Sequence, residues 1–171
     1  MANDFDWGGF RALAKRLADL AGGERDDAGF ADDLRRALTF VYTAGITMPS
    51  AGDIFEESGG AAFAEQTVAV DLGADPAALE ARVAELSERI AASIEDVQPE
   101  GDIDTDELED LAEGAAANLL EVISALAEGS AHYDASRLGE ASWEWSFGFD
   151  EWGTHALAAL AALHELLWGA R

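Results

Sequence analysis

A chain of 171 residues suits one domain with a single core, burying roughly 70% of its unfolded surface without staples. It contains no cysteine, which excludes disulfides and thiolate metal sites, and 35 Asp and Glu against 10 Lys and Arg leave a formal charge of −25. A surface of that sign repels phosphate backbones and anionic lipid, so neither nucleic acid nor a membrane is expected as a partner.

The first residues, Met1-Ala2-Asn3-Asp4-Phe5-Asp6, have no positive start and no apolar run, and no stretch approaches eighteen uninterrupted apolar residues. A soluble, cytoplasmic protein is expected. Two readings of the acidity compete: a solvation surface adapted to high cytoplasmic salt, or a surface for a basic partner or cations. The charges are dispersed over almost every segment, which favours the first, although Lys15 as the only lysine also fits a GC-rich coding bias.

Phe10, Leu13, Leu17 and Leu20 have helix spacing and Gly22-Gly23 is a stop signal, which predicts a first helix over Asp4 to Ala21. Phe30, Leu34, Leu38 and Val41 give a second over Asp27 to Gly45, ending before Pro49. Ser50 to Asp75 is punctuated by glycines and leaves room for a short helix near Ala61 to Val70. Asp75-Pro76 is a strong start signal, and Leu79, Val83, Leu86, Ile90, Ile94 and Val97 carry a stripe to about Gln98. Asp104-Thr105-Asp106-Glu107 opens another helix like a capping box, with Leu108, Leu111, Ala115, Leu119, Val122 and Leu126 on its face and Gly129 closing it.

The last predicted helix, Leu138 to Trp168, contains the most concentrated feature of the chain. Residues 143–155 hold three of the five tryptophans and two phenylalanines. At about 100° per residue, Trp145, Phe149, Trp152, Ala156, Leu160, Leu163 and Leu167 fall in one core stripe, with Trp143 and Phe147 on the opposite flank, so the helix start should be sandwiched. Alternating aromatics over Trp143 to Phe149 also fit a half-buried strand. Five long helices with short loops, and room for one short extra helix, predict an all-α, single-domain, up-and-down bundle.

The run W-x-W-x-F-x-F-x-x-W-G-x-H, followed by Ala159, Leu160, Ala162, Leu163 and His164, resembles the C-terminal signature of a bacterial domain-of-unknown-function family. Tyr42 followed by Met48-Pro49, and Leu119 to Gly129 ahead of the signature, echo the same family more weakly. The resemblance implies no activity.

Candidate site residues gather near the aromatic run. Glu140, Glu144, Glu151 and His155 form a polar stripe, with Glu151 and His155 an i,i+4 carboxylate–imidazole pair, and His132 and Tyr133 precede it. Trp143, Glu144, Glu151, His155, His132 and Tyr133 are therefore the expected binding residues, for a protein or small-molecule partner. The Glu-x-x-His spacing of bundle di-metal sites is absent at His155 and His164, which also face opposite ways. Asp102, Asp104, Asp106, Leu108, Asp110 and Glu113 match a calcium-loop spacing, but Glu107 stands where that loop needs glycine. No nucleophile elbow, phosphate loop or zinc-protease motif occurs. The sequence thus predicts a binding module using its aromatic C-terminal helix, with no cofactor and no metal. The alternative is a metal- or small-molecule-dependent enzyme using Glu144, Glu151 and His155 with acids from Glu107 to Glu121 on a neighbouring helix.

Overall fold

The computed structural model describes residues 4–25, 27–57, 76–97 and 104–169. Among them are seven helices and no strand: α1 (Trp7–Gly22), α2 (Phe30–Ile46), α3 (Ala51–Glu57), α4 (Pro76–Val97), α5 (Thr105–Asp134), α6 (Leu138–Phe147) and α7 (Phe149–Trp168). They form an all-α bundle around α5, which packs against α1, α4, α6 and α7, while α2 joins α1, α4 and α7. No described helix is long and apolar enough to cross a membrane.

The helix starts follow from local side-chain chemistry. The Asp6 carboxylate accepts from Gly9 N at 2.8 Å, so α1 begins at Trp7 rather than Asp4. Ser50 Oγ accepts from Asp53 N at 3.1 Å and donates to the Asp53 carboxylate at 2.7 Å, which starts α3 directly after Pro49. Asp104 caps α5 by accepting from Asp106 N at 3.1 Å. That cap removes the calcium-loop reading: Thr105 to Glu113 are helical and cannot wrap an ion. The helix expected near Ala61 to Val70, the Asp75 cap and Asp102 lie outside the described residues.

The expected stripes are largely the core. Phe10 and Leu17 of α1, Phe30, Leu34, Leu38 and Val41 of α2, and Leu108, Ala115, Leu119, Val122 and Leu126 of α5 are buried. On α4 the stripe divides. Leu86, Ile90 and Ile94 are buried, but Val83 is half-buried and Leu79 is 41% exposed.

Two glycines overturn predicted boundaries. Gly129 does not close α5, which continues to Asp134. The helix ends in a Schellman arrangement, Arg137 N donating to the His132 carbonyl at 2.9 Å and Ser136 N to that of Tyr133 at 2.9 Å, with Ser136 in the left-handed region at φ 61°. Glycine usually takes that position, so the stop signal was absent from the sequence. Gly148, conversely, divides the long C-terminal helix into α6 and α7. The Trp152 indole N–H donates to the Trp145 carbonyl at 2.9 Å, while the Gly148 carbonyl accepts from Glu151 N and Trp152 N at 3.0 Å to begin α7. The sandwich expected at the start of this region is partial: α6 packs against both α5 and α3, but Phe147 is 67% exposed and stacks on Trp143 with ring centroids 5.3 Å apart.

Cations act as fasteners between helices. Arg89 of α4 donates to the carbonyls of Ala21 at 2.7 Å and Arg25 at 2.8 Å and lies 4.3 Å over the Phe30 ring, pinning the α1–α2 turn. Arg11 pairs with Asp134 at 2.6 Å, joining α1 to the end of α5, and holds that carboxyl below its ordinary range. Arg25 binds Asp27 and Asp33, and Asp32 receives Arg35 and Arg36. Even if all 10 basic residues were paired one to one with acids, 25 of the 35 acids would remain. Mobile ions screen their repulsion over about 10 Å at 0.1 M salt. Thermal melts in dilute buffer and in molar potassium chloride, with sucrose as an exclusion control, should therefore show a higher midpoint in salt. About 1–2 kcal/mol of relieved repulsion corresponds to roughly 2–8 °C for a chain of this size. A midpoint that stays flat or falls would mean that the acids act chiefly through pairing.

Candidate functional site

The aromatic cluster is built from four helices. Trp145 of α6 stacks near Trp7 of α1 with centroids 6.0 Å apart, meets the edge of Phe10 at 5.0 Å and faces Tyr133 of α5 at 6.1 Å. Its indole N–H donates to the Leu126 carbonyl at 3.1 Å. Trp152 of α7 lies 4.8 Å from Phe149 and 6.1 Å from Phe10. With Trp145 at 0% and Trp152 at 1% exposure, both rings are core and offer no groove.

Of the six expected binding residues, four are not brought into one site. Trp143 is half-buried and stacks on the exposed Phe147 ring. Tyr133 faces Trp145, its hydroxyl so close to α1 that a Cβ on Gly8 would sit 3.1 Å from it. Glu151 is exposed, and His155 meets Asn118 of α5 through Nδ1 at 2.9 Å, so the i,i+4 pair is not the organising unit. The acids Glu107, Glu109, Asp110, Glu113 and Glu121 are all exposed.

His132 and Glu144 do come together, with a third residue that does not stand out in the sequence. Glu128 and His132, one turn apart on α5, and Glu144 of α6 each present a ligand atom, all within 4.8 Å of one another. His132 is 4% exposed, and its buried Nδ1 has no hydrogen-bond partner among the described residues. Burial, and after it the neighbouring Glu128 carboxylate, push the Glu144 carboxyl above its ordinary range. The Glu-x-x-x-His spacing of Glu128 and His132 is the signal that could have marked the site, but Glu151 and His155 carry the same spacing without forming one.

A second feature involves the N-terminal half of α5. Between α4 and α5 runs an open groove of about 760 Å3. Leu79, Val83, Ala84, Ala91, Ala92 and Ala117 supply its apolar lining, and Glu80, Glu88, Glu95, Glu109 and Glu113 border it. Its floor includes the start of the α4 stripe, at Leu79 and Val83.

No curated protein and no solved structure matches the chain. A family description, Domain of unknown function (DUF5063), matches residues 17–168, a span that takes in α2 to α7, the Glu128–His132–Glu144 cluster and the α4–α5 groove. Since that match covers most of the sequence, the chain belongs to the DUF5063 family.

Proposed function

We propose that the protein is a cytoplasmic, single-domain interaction module that seats a basic amphipathic helix of a partner protein in the groove between α4 and α5. One observation carries this reading: the α4 stripe, buried from Leu86 onward, opens toward its start, with Val83 half-buried and Leu79 41% exposed, and carboxylates border the opening. Exposed apolar surface rimmed by polar groups is the usual form of a recognition site. A helix lying in such a groove anchors through residues at i, i+3 or i+4, and i+7. The alanines lining the groove keep it shallow, so a second backbone can approach closely. The rim glutamates select lysine and arginine on the partner's flanks, and the charge of −25 accelerates encounter with a cation. The aromatic C-terminal segment braces the α5 wall of the groove, because Trp145 ties α6 to α5 through the Leu126 carbonyl.

The test uses a fluorescent model peptide with leucines at i, i+4 and i+7 and lysines on its flanks, and a counterpart with the lysines replaced by glutamate. The basic peptide should bind saturably and lose at least tenfold in affinity between about 50 and 500 mM salt, because exposed charge pairs are screened. The acidic peptide should not bind. A Leu79→Glu, Val83→Glu protein, altered outside the fully buried core, should lose the interaction while keeping its helicity. Equal binding by that variant would assign the peptide to diffuse surface acidity and remove the groove as the site.

A further inference from the structure

We propose that Glu128, His132 and Glu144 bind one divalent transition-metal ion, of the Mn2+, Fe2+ or Zn2+ type. The donor set contains two carboxylates and one imidazole from two helices, all within 4.8 Å of one another. Carboxylates suit hard divalent ions and imidazole suits borderline ones, so the mixed set favours first-row ions over Ca2+ and Mg2+, which take oxygen ligands. An acidic pair alone would be a solvated surface feature. What distinguishes this one is His132, which is 4% exposed, shares the cluster, and has a buried Nδ1 that no described protein group satisfies. Buried polar nitrogens nearly always have a partner, and a ligated imidazole is held by a bond to the metal and a hydrogen bond to its other nitrogen.

The backbone fixes the site more firmly than a surface cluster. The His132 carbonyl receives Arg137 N at the end of α5, which holds the last turn that carries the imidazole. Glu144 stands beside Trp145, whose buried ring and bond to the Leu126 carbonyl lock α6 onto α5 one turn below. Ligand atoms around an ion bound at about 2.0–2.2 Å sit roughly 3–3.5 Å apart. Closure therefore needs movements of about 1 Å, within reach of two glutamate side chains with staggered rotamers to choose among. Three protein ligands leave positions for water or a small anionic ligand, as in open metal sites.

The experiment titrates chelator-stripped protein with Zn2+, with Mn2+, and with Fe2+ under argon, by calorimetry, and records the visible absorption of the Co2+ form as a sign of ligation by nitrogen and oxygen. One ion per chain is expected. Glu128→Gln and Glu144→Gln should each weaken binding at least tenfold with unchanged circular dichroism and should alter the Co2+ spectrum, whereas Glu151→Gln, on the exposed face of α7, should bind as the wild type does. If His132→Asn fails to fold, the two glutamate variants still decide the matter. Undiminished affinity in Glu144→Gln, several weak equivalents per chain, or no saturable binding of any of these ions would overturn the proposal.

Discussion

Trp145→Ala and Trp152→Ala should each cost about 3–5 kcal/mol, the range for emptying a buried aromatic site. In a chain of 171 residues that lowers the thermal midpoint by roughly 6–20 °C. The reason is position as much as size. Trp145 is where α1, α5 and α6 meet, through Trp7, Phe10, Tyr133 and the Leu126 carbonyl. Trp152 links α7 to α6 through its bond to the Trp145 carbonyl and reaches α1 through Phe10. Phenylalanine at either position should recover part of the loss, because it restores ring volume without the N–H donor. Phe147→Ala supplies the contrast: that ring is 67% exposed, and its loss should shift the midpoint little. Comparable losses at positions 145 and 147 in chemical denaturation would contradict the packing described for α6.

Gly129→Ala and Gly114→Ala, both within α5, should have opposite signs. On propensity alone each replacement in a helix interior is worth about 0.5–1 kcal/mol of stabilisation. A methyl group added at Gly114 would meet nothing within 4 Å, so this variant should show that gain. At Gly129 the added Cβ would lie 2.4 Å from Trp145 Nε1 and 2.6 Å from its Cδ1, a distance at which something must move. The fully buried indole has nowhere to go without breaking its bond to Leu126, so overpacking of about 1–3 kcal/mol should exceed the propensity gain. Gly45→Ala repeats the situation against the Trp152 and Phe149 rings, at 2.5 and 2.6 Å. Urea midpoints of the three variants test the ordering; a stabilised Gly129→Ala would show that α6 can slide along α5.

These glycines also show why boundaries were harder to read than helices. Gly129 looks like a stop signal in a linear pattern, yet it is, like Gly45, a flat spot where an indole lies against a helix backbone. The true end of α5 uses Ser136 in a conformation normally reserved for glycine. The break at Gly148 follows from the Trp152 indole taking the Trp145 carbonyl, a contact between residues seven apart that periodicity does not encode. The candidate site was partly legible for the same reason. His132 and Glu144 stood out by residue type, but Glu128 was one glutamate among many until the α5–α6 turn brought Glu144 back beside it.

Local pattern and composition determined by themselves the all-α class, the faces of α1, α2 and α5, the Asp104 cap and the excess of acidic charge. Each depends on residues within a turn or two of one another, or on counts that need no geometry. Only the tertiary structure decided that Phe147, on the flank opposite the Trp145 and Trp152 stripe, stays exposed, that the α4 stripe opens at Leu79, and that Glu128, His132 and Glu144 converge. An amphipathic stripe states that a face is apolar and is silent about which helix covers it. That choice belongs to the packing of whole helices, where a single missing Cβ can set how closely two backbones approach.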